Sequence, residues 1–105
     1  MTQNLFNRHA ASVSVDGTEV PYFSAGSGQA GTPVLVMVHG STGSTDSHYG
    51  YLFPMLSFRQ RVVSVDLRPP AEGGELGLAQ LVRQVGAVID VVGGGQPVAL
   101  MGYSL

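Results

Sequence analysis

The sequence predicts an α/β fold, an antiparallel pair of strands followed by a parallel βαβαβ unit, and three observations carry that prediction. Residues 34–38, 61–66 and 97–103 read as short strands, and the first and last are apolar runs that suit strands buried on both faces of a parallel sheet. Between the second and third runs, Leu78, Leu81, Val82, Val85, Ile89 and Val92 fall at helical spacing, with Gln80, Arg83, Gln84 and Asp90 mostly opposite. Ahead of all three, Val13 and Val15 alternate with Ser12 and Ser14 up to Asp16-Gly17, a strong hairpin-turn signal.

Each element follows in order. The hairpin returns through Val20, Tyr22 and Phe23, and residues 24–31, with three glycines, read as a flexible connection into the first buried strand at 34–38. Residues 48–58 are apolar but contain Pro54, which predicts a short or broken helix. The strand at 61–66 ends in Asp66-Leu67-Arg68-Pro69-Pro70. The helix from Leu78 is ended by Gly93-Gly94-Gly95, and the last strand runs into Gly102-Tyr103-Ser104-Leu105. Helices carry the crossovers between parallel strands.

Composition bounds the function. The 105 residues are 44% hydrophobic with a formal charge of −2, and the five cations, all arginine, are scattered, so no nucleic-acid surface is expected. There is no cysteine, which excludes a disulfide framework and thiol catalysis. Residues 1–12 lack the apolar core of a signal peptide, and no run approaches the roughly 18 apolar residues of a membrane span. Cytoplasm is the default expectation, with no membrane partner. No metal or cofactor motif is present.

Two strand ends carry the chemistry. Gly102-Tyr103-Ser104 after an apolar strand is the start of G-x-S-x-G, the strained strand-to-helix turn of serine hydrolases known as the nucleophile elbow. Gly102 supplies the small residue that such a turn requires, and in that turn the backbone N–H of Leu105 points at the developing oxyanion. Upstream, the strand at 34–38 ends in His39-Gly40-Ser41-Thr42-Gly43. A buried strand ending in His-Gly-x-x-Gly, followed later by one ending in Gly-x-Ser-x, resembles the α/β-hydrolase fold superfamily, and the matched stretch runs from Val34 to Leu105. Asp66-Leu67-Arg68 matches the first half of the Asp-x-Arg-Gly-x-Gly turn that many members carry between these motifs; Pro69-Pro70 depart from the second half.

The resemblance implies roles. Ser104 would be the nucleophile, and the backbone N–H groups of Ser41 and Leu105 would form the oxyanion hole. The superfamily's triad runs Ser, then Asp or Glu, then His, so His39 and Gly40 are expected to orient the loop rather than act as base, and Asp66 to be a turn residue. His9 and His48 stand outside any motif and read as solvated. Ser44, Thr45 and Ser47, with Ser41 and Thr42, read as loop and helix-cap chemistry rather than a pocket mouth. Tyr49, Tyr51, Phe53 and Phe58 read as core before substrate wall. Tyr103 receives no role.

No histidine or carboxylate follows Ser104. The expectation is therefore residues 1–105 as the N-terminal part of one α/β-hydrolase domain, inactive alone, whose acid and base come from a remainder supplied in cis or as a second chain. The strand at 97–103 should pair with 34–38 on one edge and need that remainder on the other. The expected activity is acyl transfer to a small-molecule ester, thioester, lactone or related substrate through an ester on Ser104. The alternatives are a non-catalytic receptor or interaction module on the same fold, or a lyase or cofactor-free oxygenase.

Overall fold

Five strands make a single mixed sheet in the order β1-β2-β4-β3-β5. The computed structural model describes residues 8–28, 31–40, 43–70 and 73–103. The strands are β1 (His9–Val15), β2 (Thr18–Ala25), β3 (Leu35–Val38), β4 (Val62–Val65) and β5 (Ala99–Gly102). The helices are α1 (Thr45–Tyr49), α2 (Leu52–Ser57) and α3 (Leu78–Gly93). β1 and β2 pair antiparallel through a turn in which Asp16 and Gly17 both have positive φ, 51° and 81°, the geometry that matches the twist of a two-residue hairpin. β2 also pairs antiparallel with β4, whereas β3 pairs parallel with both β4 and β5. Among the described residues β5 is an edge strand, with β3 as its partner.

Alternation in the central strands divides the core into two layers. Val36, Val63 and Val65 face one side, where Val20, Tyr22 and Val88 of α3 join them. Met37 and Val62 face the other, against Tyr49 and Phe53 of α1 and α2. Helices thus cover both faces, and α1–α2 and α3 leave the sheet in opposite directions. Burying a valine side chain stabilises by about 1.5–3 kcal/mol. The exposed pairs Arg8–Asp46 and Arg83–Asp16 are each worth about 1 kcal/mol or less, so the sheet and its two apolar layers hold the fold.

Four details differ from the sequence reading. β2 extends through Ser24 and Ala25, which pair with Val63 and Val62, so the connection to β3 begins at Gly26. The helical segment starts at Thr45 and breaks at Gly50 and Tyr51, ahead of Pro54. Pro54 itself lies in the first turn of α2, where its missing N–H breaks no hydrogen bond. Gln84 is buried, not on the outer side of α3. Of the four aromatics, Tyr49 and Phe53 are core, whereas Tyr51 and Phe58 are exposed.

Gly26 is fixed by geometry. Its φ is +84°, and an added Cβ would collide with the carbonyl oxygens of Gln60 and Ser57, where the end of β2 meets the end of α2. Left-handed strain and the collision together predict that Gly26→Ala lowers stability by roughly 2–4 kcal/mol, read as a shift in the urea unfolding midpoint at unchanged slope.

Candidate active site

The carboxyl ends of β3, β4 and β5 lie side by side, because Val38 is in register with Val65 on one side and Gly102 on the other. That register brings the three sequence motifs to one edge of the sheet: His39-Gly40 after β3, Asp66-Leu67-Arg68 after β4, and Tyr103 after β5. The chains leaving β3 and β4 turn to opposite faces. Ligands of open α/β sheets bind at switch points of this kind.

Hydrogen bonds fix each strand end. The Val38 carbonyl accepts the Tyr103 N–H at 3.2 Å and the Tyr49 hydroxyl at 2.8 Å, locking the start of the β5 loop and α1 to β3. Burial, reinforced by the neighbouring Tyr103, pushes the Tyr49 hydroxyl above its ordinary pKa, so it stays protonated and donates. His39 is buried, and its Nε2 accepts the Leu67 N–H at 3.0 Å. That bond assigns the proton to Nδ1, which donates to the Gly40 carbonyl at 2.7 Å. Both ring nitrogens are committed.

The loop after β3 is held at both visible ends. The Gly40 carbonyl also accepts the Gly43 N–H at 3.1 Å. The Gly40 N–H donates to His48 Nδ1 at 2.9 Å. Behind the loop, Asp66 Oδ1 accepts the Thr45 N–H at 2.8 Å and the Thr45 hydroxyl, which also bonds Ser64 Oγ at 2.7 Å. This carboxylate anchors the first residue of α1, beside the capping exchange between Ser44 and Ser47. Gln84 explains its burial in the same region: Oε1 accepts the Arg68 N–H at 3.0 Å and Nε2 donates to the Arg68 carbonyl at 2.8 Å, so α3 grips the loop after β4.

Ser41, Ser104 and Leu105 lie outside the described residues; His39, Gly40, Gly43 and Tyr103 flank them. No described atom lies within 4 Å of where a Cβ on Gly102 would stand, so the crowding expected there does not arise from the described residues. His48 corrects the sequence reading. It is half-buried rather than solvated, accepts from Gly40, and meets the Tyr103 ring edge-on with centroids 5.1 Å apart. One signal could have found it: the Ser44-x-x-Ser47 cap starts α1 just after the His-Gly loop, which sets His48 one turn into the helix and over that loop. Among the described residues no three His, Cys, Asp or Glu side chains converge to hold a metal ion, and no helix is long and apolar enough to cross a membrane.

Solved structures share this arrangement. An epoxide hydrolase of Vigna radiata is 27% identical with a TM-score of 0.73 over 92% of this chain and 32% of its own. A variant of the Solanum tuberosum epoxide hydrolase is 20% identical with a TM-score of 0.75 over 92% and 32%. The fold is that of the α/β-hydrolases. No family model and no curated protein sequence matches the chain. The chain spans about a third of the length of the α/β-hydrolases it matches, and its five strands form the N-terminal part of their sheet, antiparallel start first. The edge that gathers His39, Asp66 and Tyr103 is the carboxyl end of the parallel strands.

Proposed function

We propose that this chain carries the nucleophile and the oxyanion hole of a serine hydrolase that acts through an acyl ester on Ser104. The observation that carries this reading is the register of β3 with β5. Val38 opposite Gly102 brings Gly40, after β3, and Tyr103, after β5, to one end of the sheet. A nucleophile and an oxyanion donor must meet one carbonyl group, and these two loops are the closest pair of strand ends with the required motifs.

The described groups narrow the roles by elimination. His39 has no free ring nitrogen, and the Nδ1 lone pair of His48 is taken by Gly40. Asp66 is occupied by Thr45. None is poised to take the serine proton, so the base and acid are assigned to sequence beyond Leu105, in cis or in a partner chain, in keeping with the third of the hydrolase length spanned here. Within the turn, the N–H groups of Gly40 and Gly43 are already bonded, which favours Ser41 as oxyanion donor. Leu105 supplies the second donor. The serine oxygen attacks the acyl carbon as the base takes its proton, the leaving group departs with that proton, and water then hydrolyses the ester.

The neighbours act on epoxides, and a serine nucleophile argues for a different substrate here. Attack of a serine hydroxyl on an epoxide carbon gives an ether, which water does not cleave, so the enzyme would be alkylated after one turnover. An acyl carbon gives an ester that water does cleave, which favours esters, thioesters or lactones. The full-length protein is expected to turn over p-nitrophenyl acetate with a burst of one product per site and to leave styrene oxide unhydrolysed. Sustained epoxide turnover without ester hydrolysis would overturn the assignment.

A further inference from the structure

We infer that His48 is a positioning residue: its neutral imidazole holds the Gly40 peptide, and through it the oxyanion loop, against the end of β5. The inference rests on the acyl-transfer reading for its functional consequence, and on geometry for its substance. Gly40 is buried at the end of β3, so its N–H needs an acceptor, and the acceptor is His48 Nδ1 at 2.9 Å. The same ring meets Tyr103 edge-on at 5.1 Å, one residue before Ser104. One imidazole therefore touches both loops that must converge on a substrate carbonyl.

A second observation is independent of the bond. A Cβ added at Gly43 would fall on the carbon and both nitrogens at the tip of the His48 ring, so the glycine at the far end of the turn is the space that the imidazole fills. The residue and its niche are matched. Acceptance at Nδ1 requires that nitrogen to be unprotonated, so the histidine acts only in its neutral form, and protonation converts the acceptor into a donor facing another donor.

The titratable groups around the ring are few. The end of β3 contributes His39, with ring centroids 6.1 Å away, and the end of β5 contributes Tyr103. The loop after β4 contributes Asp66, engaged by Thr45 at the start of α1. α1 itself carries Asp46, paired with Arg8, and α2 has no charged side chain.

Two variants of the full-length protein separate acceptor from bulk. His48→Asn keeps an acceptor oxygen near the position of Nδ1 and cannot titrate; His48→Phe keeps a ring and has no acceptor. The Gly40 amide proton, followed by NMR, is expected to keep its wild-type shift in His48→Asn and to move upfield in His48→Phe, which has no acceptor. Labelling of Ser104 by a fluorophosphonate is expected to slow by on the order of 10- to 100-fold in His48→Phe and to stay within a few-fold in His48→Asn, because misplaced catalytic groups cost rates of that size. Thermal melts of the three proteins control for unfolding. A Gly40 amide indifferent to His48, or His48→Phe labelled as fast as wild type, would overturn the inference. A wild type that is never labelled at Ser104 while the Gly40 amide follows His48 would overturn the acyl-transfer reading and leave the bond standing.

Discussion

Ser104→Ala is expected to lower acyl-ester turnover of the full-length protein by about 10⁴-fold or more, with the melting temperature within a few degrees of wild type. The size follows from covalent catalysis: without the hydroxyl there is no acyl intermediate, and what remains comes from binding and the oxyanion hole. Stability should change little, because removing one hydroxyl next to a loop end leaves the two apolar layers around Val36, Val62, Val63 and Val65 untouched. Steady-state kinetics and a melting curve on the same preparation check both halves. Retention of turnover within ten-fold would point to a role for the elbow other than nucleophile, as in the lyase or oxygenase alternative.

The second large effect concerns the oxyanion loop. Ser41→Ala keeps the backbone N–H and is expected to leave turnover within a few-fold. Ser41→Pro removes the donor and is expected to cost on the order of 100-fold or more in kcat. Part of that loss is conformational, because proline at 41 also restrains Gly40, whose carbonyl must accept from both His39 and Gly43. The comparison of the two variants isolates the backbone from the side chain. Equal losses in both would make the hydroxyl, not the N–H, the working group.

What was legible in the sequence was whatever is set locally. Asp16-Gly17 specifies its turn through the backbone conformations those two residues tolerate, and the turn then fixes the β1–β2 register. The apolar run at β3 announces a strand covered on both faces, Val62, Val63 and Val65 announce the strand β4, and the 3.6-residue period announces α3. The pairing of β5 with β3 was legible too, through the resemblance of the two motifs that end them. What was missed is set by partners distant in sequence. Ser24 and Ala25 look like loop, yet β4 offers them a ladder. Gln84 looks like a solvent-facing residue of an amphipathic helix, but the free N–H and carbonyl of Arg68, sixteen positions away, satisfy its amide completely. Thr45 begins α1 because Asp66 accepts its N–H. His48 was missed for the same reason: its partner, Gly40, belongs to a loop whose path the sequence does not reveal, and only Gly43, which makes room for the ring, hints at it.

The central claim is that Ser104 is a nucleophile toward acyl and phosphonyl centres, at the sheet edge where β3 and β5 end together. A fluorophosphonate probe applied to the full-length protein, followed by peptide mass spectrometry, tests it most directly. One stoichiometric adduct is expected, on the peptide that contains Gly102-Tyr103-Ser104, blocked by prior incubation with an ester substrate and absent in Ser104→Ala. An adduct on any other residue, or an active hydrolase that the probe neither labels nor inhibits, would contradict it.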